Sequence, residues 1–186
     1  MKNFFCHLLC LSVLSGCAAF GTKTVFNTPD VLPAIKRVAL VTSKVGLPAG
    51  VVIKEVDTLF VKDLTKQLAA ATGWQVQYLG EVEAFMAGMG DANNPLLNGV
   101  QYQAVVHAEL GLAYYGIMGN VPRFNSTTRM QIIQLPSKKL LGENHFNTLM
   151  GNSYMAHPVL DVAVADGVAG MLRPWQKKLT QLRSSH

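Results

Sequence analysis

The chain has 186 residues, 49% of them hydrophobic, and 16 Lys and Arg against 11 Asp and Glu give a formal charge of +5. That length suffices for one domain with a full core and is short for two. The mild positive excess is spread along the sequence, which argues against a dedicated nucleic-acid binder.

Residues 1–16 read as a leader. Lys2 supplies a short positive start, and Phe4 to Leu14 is mostly apolar, broken by His7 and Ser12. Eleven helical residues span only ~16 Å against a hydrocarbon core of ~30 Å, so this segment suits a signal peptide rather than a membrane span. All three cysteines, Cys6, Cys10 and Cys17, lie within the first seventeen residues. A chain cut before Cys17 therefore forms no internal disulfide and holds no thiolate metal site. It keeps 170 residues and, without Lys2, a charge of +4.

The four residues Leu14-Ser15-Gly16-Cys17 resemble the lipobox of bacterial lipoproteins. The resemblance implies cleavage between Gly16 and Cys17, a covalent lipid on Cys17 and no other cofactor. Ala18 in place of Asp after the cysteine implies export to the outer membrane, with the domain on its periplasmic side. An ordinary secretory signal with an incidental cysteine is the alternative. Several acyl chains hold far more durably than the marginal grip of one.

Residues 17–34 read as the lipidated cysteine and a tether, punctuated by Gly21, Pro29 and Pro33; its extended reach is roughly 55 Å. Val25, Phe26, Val31 and Leu32 leave open whether part of it packs on the domain. From 35 onward the pattern is that of a single α/β (α+β) domain. Ile35 to Thr42 is a short apolar strand after a basic lead-in. Val52 to Thr72 repeats apolar residues at helical spacing and ends at Gly73, well placed as its C′ residue. Trp74 to Leu79 alternates with period two, and Glu81 to Met89 reads as a short helix with acidic residues early. Gln103 to Leu110 is a third strand. Gly111 to Ser126 reads as a connection, and Thr127–Leu135 and Leu140–Thr148 form a hairpin across Pro136–Lys139. A helix from Pro158 to Leu182 closes the chain, with Pro174 expected to kink or split it. The order β-α-β-α-β-β-β-α implies a mixed sheet of about five strands with helices packed on it.

The segment Gln101-Tyr102-Gln103-Ala104-Val105-Val106-His107-Ala108-Glu109-Leu110 and the hairpin Met130 to Leu141 are similar to elements of a group of bacterial envelope lipoproteins. That group includes the curli secretion-channel lipoprotein, the lipoprotein activator of penicillin-binding proteins, and domains like the N-terminal part of the Tol translocation protein. The resemblance implies an anchored, non-enzymatic accessory or adaptor in an envelope assembly or secretion system, with envelope proteins as partners and homo-oligomer formation as an option. The curli channel builds its pore from long hairpins, for which the sixteen-residue 111–126 connection gives no length.

The sequence holds no nucleophile elbow, no His-Glu-x-x-His and no phosphate-binding loop, so no catalytic residue is assigned. His107 and Glu109 share one face of a strand, as Glu143 and His145 do, and the two pairs on neighbouring strands would make a metal or acid–base cluster. His107, His145 and His157 are the weak metal candidates, and Met150 and Met155 between the last two add soft ligands at spacings matching no tight motif. They carry the alternative of a periplasmic metal- or small-ligand-binding lipoprotein. Asp161 with His157 reads as a helix cap. Tyr114, Tyr115, Ile117, Met118 and Phe124 make the most unusual stretch, either a candidate partner surface or a loop folded back over the core.

Overall fold

A computed structural model of the chain describes residues 23–83, 101–118, 121–148 and 159–185, with the side chains of 114–118 and 121–123 left aside. Six strands form one mixed sheet: β1 (Lys23–Phe26), β2 (Arg37–Thr42), β3 (Gln75–Glu81), β4 (Ala104–Met118), β5 (Val121–Gln134) and β6 (Leu140–Asn147), in the spatial order β1-β6-β5-β4-β2-β3. Among the described residues two long helices, α1 (Val56–Thr72) and α2 (Leu160–Ser184), pack against it. The class and mixed character match the sequence reading, with six strands rather than five.

The helix-covered face is dry. Phe60, Leu64 and Leu68 of α1 and Val164, Val168, Met171, Trp175 and Leu179 of α2 are buried against Leu40, Val106, Ala108, Met130 and Ile132 of the sheet. A fully buried side chain of this size contributes ~1.5–3 kcal/mol, so the two helical stripes dominate the fold's stability. β2 pairs in parallel with both β3 and β4, and Val38 to Thr42 are buried on both faces. On its second face Ala39 and Val41 meet Tyr102, Val105 and Leu135. A parallel strand enclosed on both sides reads as a continuous apolar run, which is why it was recognisable from sequence.

α1 ends as expected. Gly73 adopts φ +72°, and its N–H donates to the Ala69 carbonyl at 2.8 Å. α2 runs through Pro174 as one helix and is not split there. Met171, Leu172, Trp175 and Leu179, on either side of the proline, are all buried in the core. Val159, not Asp161, occupies the N-cap, with no side-chain capping hydrogen bond; Asp161 lies in the first turn. α2 approaches β5 and β6 closely through two glycines. A methyl group on Gly170 would run into the Phe146 ring, and one on Gly167 into the Ser126 hydroxyl. At that contact Ser126 Oγ donates to the Ala163 carbonyl at 2.7 Å and Thr128 Oγ1 to that of Gly167 at 3.2 Å.

Two sequence expectations need correction. The tether 17–34 is domain from Lys23 on: β1 pairs antiparallel with β6, and a 3-10 turn over Pro29–Ala34 buries Leu32 completely. Phe26 meets Trp175 edge to face at 4.9 Å, and the Asn27 N–H donates to the Leu141 carbonyl at 2.8 Å. Burial of Leu32 and Phe26 outweighs the freedom of a loose linker. The connection 111–126 is instead the far half of a long β4–β5 hairpin, paired from Ala104↔Gln134 to Met118↔Val121. Backbone pairing takes in Gly111 and Pro122, with one register shift between Tyr114 and Ile117. Of the helix predicted over Glu81–Met89, Glu81 closes β3, and 84–89 lie outside the described residues.

Candidate functional site

The face of β1, β6, β5 and β4 turned away from the helices carries the charged residues. Alternation along each strand puts them there. Ala104, Val106, Ala108 and Leu110 of β4 point into the core, which sends His107 and Glu109 the other way; Met130 and Ile132 do the same for Arg129 and Gln131 of β5. The register then aligns two rows across the sheet. One is Lys23↔His145↔Arg129↔Glu109, the next Val25↔Glu143↔Gln131↔His107.

Glu143 is the hub of this face. Its carboxylate accepts hydrogen bonds from Arg129 Nε at 2.9 Å and Gln131 Nε2 at 3.1 Å, and it pairs with His145 Nε2 at 2.6 Å. Burial pushes the Glu143 carboxyl up from 4.5, but the hydrogen bonds from Gln131, Arg129 and His145 and the Arg129 charge outweigh it and hold it at about 2. Arg129 also lies 4.0 Å from Glu109, which sits 3.7 Å from His107 Nε2. The His107 Nε2 is in turn 3.0 Å from the Ser43 hydroxyl.

The two His–carboxylate pairs do share a face, but not on neighbouring strands. β5 lies between them and puts Arg129 and Gln131 in the middle. A guanidinium bonded to the shared carboxylate repels a metal ion and occupies the lone pairs it would need. Among the described residues no three His, Cys, Asp or Glu side chains are grouped to hold a metal. His157, Met150 and Met155 lie outside the described residues, as do Gly16 and Cys17.

The Ser43–His107 contact was not anticipated. Its signal was positional: Ser43 follows the carboxyl end of a parallel strand, the edge where α/β sheets present polar side chains to ligands. It does not extend into a catalytic triad. Glu109 approaches the same Nε2 that faces the hydroxyl, whereas a triad acid must orient the ring through Nδ1.

An open cleft of about 550 Å³ crosses this face, lined by Ser43, Lys44, Glu109, Thr127, Arg129 and His145 among others. A second of about 230 Å³ continues from His145 and Glu143 to Lys23 and Val25 at the sheet edge. The side chains of Arg129, Glu109 and His145 are 38%, 37% and 50% exposed, so the face is open while its groups stay fixed by one another.

Of the candidate partner surface, Tyr114, Tyr115, Ile117 and Met118 belong to the far end of β4, and Phe124 pairs with Tyr114 from β5. At this end β4 and β5 pair with each other, Gly111 bridges Gly46, and Asn125 and Ser126 bond to Asn147 and Thr148.

The chain matches no protein-family model and no curated protein. It does resemble solved structures. The PelC dodecamer from Paraburkholderia phytofirmans superposes with a TM-score of 0.54 at 11% identity, covering 83% of this chain and 97% of that one. Lipoprotein GNA1162 from Neisseria meningitidis gives 0.38 at 10% identity, over 75% and 99% of the two chains. The LpoB C-terminal domain from Salmonella enterica gives 0.36 at 10% identity, over 60% and 81%. At these identities the likeness to PelC concerns the fold alone.

Proposed function

We propose that this protein is an outer-membrane lipoprotein, anchored through Cys17, that serves as a non-enzymatic accessory in a periplasmic envelope assembly. The observation that carries the reading is the open charged face of β1, β6, β5 and β4. Its carboxylates, guanidinium and imidazoles are bonded to one another and so presented in fixed positions to a partner. Fixed, solvent-facing charges favour recognition and register between proteins over turnover of a substrate. The lipobox-like Leu14-Ser15-Gly16-Cys17 supports the address. Among the described residues no helix is long and apolar enough to cross a membrane, which leaves the anchoring to the lipid in this reading.

Self-association is one form such contact would take, since the similarly folded PelC was solved as a dodecamer. Extraction of the native protein in mild detergent followed by native mass spectrometry tests the proposal. The expected result is a lipid-modified chain in complex with other envelope proteins. A monomer with no companion, or an unmodified Cys17, argues against it.

A further inference from the structure

The row Lys23, His145, Arg129 and Glu109 crosses the open face from β1 to β4, with a cation at one end and an anion at the other. Its acidic end has spare capacity. Glu143 in the neighbouring row is held by bonds of 2.6, 2.9 and 3.1 Å, whereas Glu109 has His107 and Arg129 only at 3.7 and 4.0 Å. Lys23 is exposed and lines the cleft of about 230 Å³, and Glu109 lines the one of about 550 Å³.

A second copy can stack on this face about a two-fold axis in two simple ways. An axis along the row sets Lys23 on Lys23, Arg129 on Arg129 and Glu109 on Glu109, so like charges oppose one another. An axis along the strands, running between β6 and β5, reverses the row. Lys23 then lies over Glu109 of the second copy, and each enters the cleft that the other lines. His145 lies over Arg129, whose guanidinium stacks on aromatic faces. The neighbouring row agrees: Glu143 falls over Gln131, and the exposed Val25 over the His107 ring.

The dimensions fit. Stacked sheets stand ~10 Å apart and cross at about −30°, which offsets the row ends by about 4 Å, within the combined length of a Lys and a Glu side chain. The four strands are about 19 Å wide and β6 about 26 Å long, so two copies bury on the order of 1,000 Å², the size of a weak contact. The same axis preserves strand direction. Both β1 strands start at the same end, so both Cys17 lipids reach one bilayer, which raises the effective concentration of each copy for the other.

We infer that the charged face of β1, β6, β5 and β4 pairs with the same face of a second copy, Lys23 of each meeting Glu109 of the other. Such pairing takes as given the role proposed above for this face and makes its partner a second copy.

The test uses the full lipidated chain, an equal mixture of heavy-nitrogen-labelled and unlabelled protein, in phosphatidylcholine–phosphatidylglycerol vesicles. A carbodiimide condenses a lysine amine with a carboxylate it touches, forming an amide with no spacer. Within one chain Lys23 and Glu109 are three strand spacings apart, about 14 Å, farther than their side chains reach together. The expected result is a Lys23–Glu109 amide, found by mass spectrometry as the main link between heavy and light chains. Lys23→Glu removes it, and adding Glu109→Lys should bring back a link between the same two positions. No mixed link, or links spread evenly over the exposed lysines, overturns the pairing. So does a double variant that is folded by circular dichroism and stays unlinked. The same reagent on native membranes separates this failure from that of the wider proposal. Glu109 joined to a different protein overturns the pairing and leaves the face a partner surface; Glu109 joined to nothing overturns the pairing and counts against that role as well.

Discussion

Replacing Glu143 by Gln removes the charge at the centre of the polar face while keeping its shape. The wild-type carboxyl is held at about 2 against an ordinary 4.5. At ~1.4 kcal/mol per pKa unit that difference sets a ceiling of about 3 kcal/mol. The side chain of Arg129 is 38% exposed, so solvent screening brings the expected contribution to about 1–2 kcal/mol. The sign follows from the depressed value. Above 4.5 the carboxylate is ionised in both folded and unfolded chains, and its partners' stabilisation is complete. As the pH falls from 4.5 through about 2 the unfolded chain takes up the proton first, and that stability is lost. Urea unfolding of Cys17→Ser chains, with and without E143Q, at pH 7 and pH 3 measures it. The variant is expected to be less stable by about 1–2 kcal/mol at pH 7, with the gap falling by more than half at pH 3. An unchanged gap would refute the reasoning, because the hydrogen bonds would then not depend on the charge.

Phe26→Ala should cost about 2–3 kcal/mol by thermal or urea unfolding, because it strips the edge contact with Trp175 from a half-buried ring. If residues 23–34 were a free tether, stability would not change. Gly170→Ala forces a methyl group against Phe146 and should destabilise by about 1–3 kcal/mol. Calorimetric titration with Cu²⁺ or Zn²⁺ is expected to show no binding at micromolar metal, since Arg129 stands between the two His–carboxylate pairs. Micromolar binding that His107→Ala and His145→Ala both abolish would contradict this.

Where the local pattern and the tertiary environment agree, the fold was legible. The continuous apolar run of β2 and the 3.6-residue stripes of both helices report burial directly, and Gly73 reports the end of α1. The misses share a cause. Lys23-Thr24-Val25-Phe26 is too short to show a period, and it becomes a strand because β6, 120 residues away, offers Asn144 to Thr24 at 2.6 Å and a backbone edge. The far half of the β4–β5 hairpin is rich in glycine and holds Pro122, local signals for a loop, but a partner strand of matching length satisfies its backbone. The pairing of each His with its carboxylate was visible from period two. What lay between the pairs was not, because strand order is a long-range property; yet Arg129 and Gln131 alternating with Met130 and Ile132 carried the sign that they share an exposed face.

In the proposed role the charged sheet face meets another envelope protein. Thr127 is exposed in the middle of the cleft, and Lys66 is exposed on α1. A photoreactive residue at each, activated in native membranes, tests the claim most directly. The expected result is a defined adduct with an envelope protein, or with a second copy, from position 127 and none from 66. No adduct from 127, or the same adducts from both, would contradict it.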